Sequence, residues 1–327
     1  MFADAVQLRT APKSFLMSTQ LSEQQMQKYI AVVNEVERLR VLSEQEKKDI
    51  VKRILGKPYM DLLSDWAFKH ILQNKEILLM LLNDFIPEEI DSVELLPNEV
   101  DRLRPDDKNI IMDVLCRTVD GREFICEMQQ KKKQSFRKRM FYYGASMAHS
   151  QLKPKQAYSL LKPVYVICFM DFSLEHETDQ LVYRYAIREQ TSGEPYENLL
   201  SIIFCELPRL NKTSLEGLGP VESWFFILKN MRNFAGEPED MGNRYAAIAK
   251  AAQMHNLPDA ERIQYIRNMI TEEERLDIGG AYYEDGLKDG AKKERNEIAR
   301  KMLLEKVPLE TIILCTGLSA EAIEALS

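Results

Sequence analysis

Residues 109–133 carry two β-strand patterns on either side of a turn signal, and no other stretch of the chain constrains the fold as strongly. The runs before and after Asp120-Gly121 are rich in β-branched and apolar residues, and Asp-Gly is a typical hairpin turn. Each run contains one carboxylate among apolar neighbours, Asp113 in the first and Glu127 in the second. The stretch therefore predicts a β-hairpin with one acid on each strand.

The pairing register of this hairpin decides whether the two acids meet. A two-residue loop would place Asp113 on the opposite face of the sheet from Glu127. A three-residue loop with Gly121 in the left-handed conformation pairs Thr118 with Arg122 and places Asp113 directly opposite Glu127. We predict this second register. Two buried carboxylates with Cβ atoms only ~5 Å apart repel unless a cation lies between them. Mg2+, a hard cation with a preference for oxygen ligands, is the expected ion.

Further polar side chains are expected near the two acids. Because side chains alternate along a strand, Gln129 and Lys131 are predicted on the same face as Glu127. Upstream, residues 59–85 have a helical pattern in which Asp65 and Lys69 are four apart and share a face. Alone, this pair is typical of a surface ion pair. Beside the hairpin, Asp65 would be a third acid at a metal site.

These residues resemble the PD-(D/E)xK nuclease superfamily in its Glu-x-Gln form. The pattern is Asp113, a gap across a hairpin, then Glu127-x-Gln129. The similarity extends outward to several segments: Asp65-Trp-Ala-Phe-Lys69, Arg139 with Tyr142-Tyr143, Pro163-Val164-Tyr165 and Glu206-Leu207-Pro208. Together, over roughly residues 58–320, they are similar to the Rpn family of recombination-promoting nucleases and transposases.

The resemblance implies an α/β fold with a restriction-endonuclease-like mixed central sheet flanked by helices, and with helical extensions at both ends. It also implies a DNA endonuclease that hydrolyses phosphodiester bonds with Mg2+, or with Mn2+, in recombination or mobile-element activity. The implied catalytic residues are Asp113, Glu127, Gln129, Asp65 and Lys69, and the implied metal ligands are Asp113, Glu127 and Asp65.

Gln129 stands where the superfamily pattern has lysine. An amide cannot act as a general base, but it can orient water and donate to a phosphate oxygen. The positive charge that lysine would supply must then come from elsewhere. Lys69, on the helix, and Lys131, further along the strand, are the candidates.

A basic segment follows Glu127-x-Gln129, with six bases within nine residues: Lys131, Lys132, Lys133, Arg137, Lys138 and Arg139. A charge run is usually a solvated face. The net charge of −7 opposes general nucleic-acid binding, so DNA contact requires a local basic patch. Next to an acidic site, this segment is well placed to recruit phosphate. Tyr142 completes the predicted DNA-binding set, whereas Tyr143 is as readily explained by helix packing.

The strand and helix patterns alternate, which favours a mixed sheet flanked by helices. Further strands are predicted at 92–97, 163–172, 181–190 and 200–207, and a helix is predicted at 135–152. We predict four regions: an N-terminal tail and helical extension (1–57), a nuclease-like core (58–210), a helical subdomain (211–278), and a Gly-rich connector with a small helical module (279–327). Acidic residues in that last module, such as Glu310, favour a helical or dimerising role over DNA reading.

Several classes of protein are excluded by simple patterns. Five cysteines without Cys-x-x-Cys spacing argue against a disulfide framework or a zinc site. No run of eighteen apolar residues and no signal-peptide core is present, so a soluble cytoplasmic protein without membrane contact is expected. The sequence contains no phosphate-binding loop, so no nucleotide cofactor is expected.

The oligomeric state follows from the expected substrate. Cutting both strands of a duplex needs two active sites, which favours a homodimer.

Two alternatives remain open at this stage. The first is a catalytically silent nuclease-like domain that binds DNA or a protein. The second is purely structural, with the acids satisfied by nearby bases such as Arg102 and Arg117. A fold does not certify an activity, so the site itself must decide between them.

Overall fold

The structure is a computed structural model that describes residues 21–100, 110–271, 296–305, 307–318 and 323. The chain divides into two compact units, Met1–Met269 and Ile270–Ser327. The predicted tail at 1–20 and the Gly-rich connector with its boundary at 278/279 lie outside the described residues.

A six-stranded mixed sheet forms the centre of the first unit, in the order β1-β4-β5-β6-β8-β7. Its strands are β1 (Val93–Leu96), β4 (Val114–Thr118), β5 (Glu123–Gln129), β6 (Val164–Met170), β7 (Val182–Tyr185) and β8 (Leu200–Glu206). β5, β6 and β8 are parallel, while β1, β4 and β7 run antiparallel to their neighbours. β2 (Glu99–Val100) and β3 (Ile110–Ile111) form a separate antiparallel pair. The predicted fold class, a mixed sheet flanked by helices, is confirmed.

Helices surround the sheet and extend beyond it. In the first unit they are α1 (Glu23–Val33), α2 (Glu44–Leu55), α3 (Asp65–Leu72), α4 (Lys75–Phe85), α5 (Phe136–Ser150), α6 (Pro220–Asn230) and α7 (Ala246–Ala252), and α8 (259–271) begins in the first unit and includes the first two residues of the second. The second unit contains α9 (296–304) and α10 (Leu309–Thr316), with a small core of Ala299, Ile312 and Ile323. None of the helices in the described ranges is both long enough and apolar enough to span a bilayer.

The single helix predicted for residues 59–85 is wrong, because the chain forms two helices there. Ser64 Oγ accepts a hydrogen bond from the Ala67 backbone N–H, at 3.3 Å, and caps the start of α3. Asn74 Oδ1 accepts from the N–H groups of Glu76 and Ile77 and caps the start of α4. Side-chain caps of this kind satisfy donors that a continuous helix would have used.

Other predicted boundaries need smaller corrections. Capping boxes begin the two N-terminal helices, with Ser22 at the start of α1 and Ser43 at the start of α2. The strand predicted at 181–190 is shorter, because β7 ends at Tyr185. Beyond it the chain turns back on itself, and the Tyr196 N–H donates to the Ile187 carbonyl. The Glu189 carboxylate accepts from backbone N–H groups in this turn, so local polar contacts end the strand.

The two faces of the sheet are covered by different helices. On one face Phe68 of α3 and Phe85 of α4 pack against Phe169 of β6. On the other face α5 lies close to β6 and β8, and Gly144 permits this approach. A Cβ at Gly144 would be 2.4 Å from Leu200 Cδ1, so a larger residue there would overlap the sheet. The sheet is therefore fixed between α3 and α4 on one side and α5 on the other.

Candidate active site

The hairpin has the predicted register. Arg117 lies opposite Glu123 and Leu115 lies opposite Ile125. Two residues further along each strand, the same register places Asp113 opposite Glu127. The Thr118 N–H donates to the Arg122 carbonyl at 2.9 Å, and Gly121 closes the loop with a φ of 90°. The left-handed conformation is cheap for glycine, which explains why the third loop position carries this residue.

Asp113 and Glu127 are linked through backbone groups as well as by proximity. The Asp113 N–H donates to Glu127 Oε1 at 3.1 Å, and the Met128 N–H donates to Asp113 Oδ2 at 2.8 Å. Asp113 lies immediately before β4, and Glu127 is in β5 with only 3% of its surface exposed. The strand pairing thus holds two carboxylates beside each other in a largely buried position.

Helix α3 adds an acid and a base to this pair. Asp65 is its first residue, and the Lys69 ammonium Nζ lies 2.9 Å from Asp65 Oδ1 and 3.1 Å from Asp113 Oδ1. The Lys69 side chain is 25% exposed and that of Asp113 is 10% exposed, so this is more than a surface ion pair. The structure brings Asp65, Lys69, Asp113 and Glu127 into one cluster from three separate segments.

Gln129 connects the acids to helix α5. Its Nε2 donates to Glu127 Oε2 at 3.2 Å, and its Oε1 accepts a hydrogen bond from Nη2 of Arg139. The Arg139 guanidinium carbon also lies 6.0 Å from the centre of the Tyr143 ring. Arg139 therefore lies inside the acidic cluster, whereas the sequence predicted a DNA contact on the basic surface. Its contact with Gln129 was missed, because no periodic pattern links two residues in different elements.

Burial is the main influence on the charges of this cluster. It raises the pKa of Asp113 well above its usual value, and the neighbouring charge of Glu127 raises it further. Burial likewise raises the pKa of Glu127 to about 7, although the Asp113 N–H and the charge of Arg139 act in the opposite direction. For Lys69, burial alone would lower the pKa, but Asp113 and Asp65 outweigh it and the pKa is raised.

The acidic pair fits a cation. Both carboxylates are buried, and burial raises the pKa of each even with Lys69 and Arg139 nearby. Oxygen donors of this type suit a hard divalent ion. Within the described ranges, however, no group of three or more His, Cys, Asp or Glu side chains is arranged to hold a metal. Asp65 is turned toward Lys69, so Asp113 and Glu127 form a two-carboxylate site with Asp65 nearby.

The remaining members of the predicted DNA-binding set lie on the surface. β5 ends at Gln129, so Lys131 is outside the strand and the predicted strand alternation does not extend to it. The exposed residues are Lys131, Lys132, Lys133, Arg137, Lys138 and Tyr142. They form the loop after β5 and the exposed side of the first turns of α5, and are called the basic segment below.

In the purely structural alternative, Arg102 and Arg117 would neutralise the acids of the site, and the structure does not place Arg117 there. Arg117 pairs with Glu123, with 2.5 Å between Nη2 and Oε1, and not with Asp113 or Glu127. Arg102 lies outside the described residues. In the part of the chain that the structure describes, Lys69 contacts Asp65 and Asp113, and Arg139 reaches the acids through Gln129.

Comparison with known proteins adds one finding. A family model described as a PD-(D/E)XK nuclease family transposase matches residues 62–277, which is more than half of the chain. No curated protein and no solved structure matches it. The matched range contains the whole acidic cluster and the basic segment.

Proposed function

Because this chain belongs to the PD-(D/E)XK nuclease family transposases, we propose that it is a divalent-metal-dependent endonuclease that hydrolyses phosphodiester bonds in DNA. The observation that carries the proposal is the convergence of Asp113 and Glu127 beside Lys69. Breakage of DNA during recombination or mobile-element movement is the biological setting that we infer from the family description.

Asp113 and Glu127 would hold the ion, with a backbone carbonyl next to Glu127, and Asp65 would bind it directly or through water. A divalent cation at this position polarises the scissile phosphate and lowers the pKa of the attacking water. Mg2+ and Mn2+ both suit carboxylate oxygens. The hydrogen bonds from the Asp113 and Met128 N–H groups fix the orientation of both carboxylates before any ligand arrives.

Lys69 supplies a positive charge from α3. Its ammonium contacts both Asp65 and Asp113, and both contacts favour its charged form. An ammonium in this position can stabilise the negative charge that develops on the phosphate. Lys69 thus places a positive charge on the Asp113 side of the acidic pair.

The basic segment recruits the DNA backbone. Its Lys131, Lys132 and Lys133 are exposed and directly follow the strand that carries Glu127. In a protein with a net charge of −7, such a local patch gives the phosphate backbone one place to bind. Cutting both strands requires two such sites, so the proposal includes a homodimer for double-strand cleavage.

A second candidate is a nuclease-like domain that binds DNA without cutting it. The replacement of lysine by Gln129, together with the contact of Lys69 with two carboxylates, favours this candidate. It predicts that neutralising Asp113 and Glu127 leaves DNA affinity intact.

Cleavage of supercoiled plasmid with Mg2+, Mn2+ or EDTA tests the proposal. The proteins compared are the wild type, Asp113→Asn and Glu127→Gln, with Asp91→Asn as the control at an exposed carboxylate. We expect metal-dependent nicking by the wild type and the control, and its loss in both site variants. A folded wild type that binds DNA but cuts it under none of these conditions would support the second candidate instead.

A further inference from the structure

Gln129 hydrogen-bonds to two groups of opposite charge. Its amide oxygen accepts from the Arg139 guanidinium, and its amide nitrogen donates to the Glu127 carboxylate at 3.2 Å. An amide can make both bonds because it has a donor and an acceptor, whereas an ammonium group can only donate. A lysine at position 129 would therefore lose the bond to Arg139 and place a second positive charge against it. The residue at 129 and the charge at 139 are thus linked.

Arg139 is the cation of the cluster whose charge no carboxylate neutralises directly. Lys69 contacts Asp65 and Asp113, but no ion pair among the described residues includes Arg139. The Arg139 Nε–H is buried and has no hydrogen-bond partner in this part of the chain. An arginine kept for structure alone would be expected to satisfy this donor, since buried polar groups normally are satisfied.

We propose that Arg139, held in place by Gln129, supplies the fixed positive charge that the superfamily lysine would provide, and that its ligand is an oxygen of the DNA phosphate. The guanidinium group suits this role because its planar donors match the geometry of phosphate oxygens. Gln129 acts as a positioning residue that orients both Arg139 and Glu127. The inference rests on the proposed nuclease function. It treats the pair Gln129–Arg139 as equivalent in charge to a lysine at position 129 beside a neutral residue at position 139.

An exchange of the charge between the two positions tests this equivalence. The variants are Gln129→Lys, Arg139→Gln, the double variant with both changes, and Arg139→Lys. Nicking of supercoiled plasmid in Mg2+ is measured for each, with thermal unfolding to check the fold. Arg139→Gln is expected to lose about 100-fold in rate through loss of a charge-stabilising donor, and Gln129→Lys a similar amount because Arg139 is then repelled from its position. The double variant should regain at least about 10-fold over either one, because the pair of positions 129 and 139 again carries one cation.

The matched comparison is Arg137→Gln, a base that is exposed on the same helix. Combined with Gln129→Lys, it should give no recovery, because Arg137 does not contact Gln129. Arg139→Lys keeps the charge and should retain more activity than Arg139→Gln. Recovery in the Arg139 double variant but not in the Arg137 double variant is a result that a packing role for Arg139 would not produce.

The outcomes separate this inference from the nuclease proposal. Suppose that the wild type nicks DNA. If the double variant then nicks as slowly as the slower single variant, or if Arg139→Lys nicks as slowly as Arg139→Gln, the inference is wrong and the nuclease proposal stands. If the wild type does not nick DNA, the nuclease proposal fails. The affinity for a fluorescein-labelled duplex, measured in Ca2+, then tests whether Gln129 and Arg139 bind phosphate. Affinity that falls in Arg139→Gln and returns in the double variant supports a phosphate-binding pair, and affinity that is the same in Arg139→Gln and the wild type, or that does not return in the double variant, overturns it.

Discussion

Replacing Glu127 with Gln should stabilise the metal-free protein at alkaline pH while abolishing cleavage. Burial raises the pKa of Glu127 from its ordinary value of 4.5 to about 7. The folded chain therefore holds a proton on this group across a pH range in which the unfolded chain has released it. Stability falls as pH rises between these two values, and above about pH 7 the folded protein must carry a buried charge.

The size of this effect follows from the pKa difference. At about 1.4 kcal/mol per pKa unit, a rise from 4.5 to about 7 costs about 3 kcal/mol at alkaline pH. A Gln side chain removes this cost, but both Glu127 oxygens accept hydrogen bonds, from the Asp113 N–H and from Gln129 Nε2. The Gln amide nitrogen cannot accept, so one bond is lost at a cost of about 1 kcal/mol. The net stabilisation at about pH 8 is about 2 kcal/mol.

Thermal unfolding in EDTA measures this difference. At about pH 8 the Glu127→Gln variant should unfold roughly 4 °C above the wild type, and at about pH 5 the gain should disappear because Glu127 is then protonated in the wild type. Added Mg2+ should raise the unfolding temperature of the wild type more than that of the variant. A variant that is no more stable than the wild type at about pH 8, or equally more stable at both pH values, would refute the assignment of a raised pKa.

Three further changes test the site and its supports. Lys69→Ala should slow plasmid nicking by at least about 10-fold, and by more than Lys132→Ala, which removes one of several exposed bases of the basic segment; equal rates for Lys69→Ala and the wild type would reject a catalytic role for Lys69. Gly144→Val should destabilise the protein by about 1–2 kcal/mol, measured by urea unfolding, because its side chain would overlap Leu200. Ser64→Ala should cost about 1 kcal/mol in the same assay through loss of the α3 cap, and a cost near zero would show that the cap contributes little.

The hairpin was predictable because turn chemistry and strand alternation are both local. A left-handed Gly121 fixed the loop length, and the loop length fixed which residue lies opposite Glu127. The pairing of Asp65 with Lys69 was likewise visible from helical spacing. The break between α3 and α4 was missed because the apolar residues on either side of the polar run 73–76 keep a helical spacing, with Ile71 and Leu78 seven residues apart. Asn74 caps α4 at that boundary, and Ser64 caps the start of α3, several residues after the predicted start of the single helix.

The contact between Arg139 and Gln129 could not be predicted in the same way. Gln129 ends β5 and Arg139 lies in the first turns of α5, so the loop between them determines whether the two side chains meet. Six bases in nine residues look alike in the sequence. The structure separates them, because helical periodicity turns Arg139 toward the sheet while Arg137 and Lys138 stay exposed.

The charges of the cluster connect its stability to its proposed function. Three acids, Asp65, Asp113 and Glu127, face two bases, Lys69 and Arg139, so one negative charge is left uncompensated when all are ionised. In the absence of metal, uptake of a proton by the buried pair relieves this excess, and burial favours it by raising the pKa of both carboxylates. A divalent cation relieves it too, and displaces the proton. The same buried charge that lowers the stability of the metal-free fold therefore supplies the attraction for the ion that the proposed reaction requires.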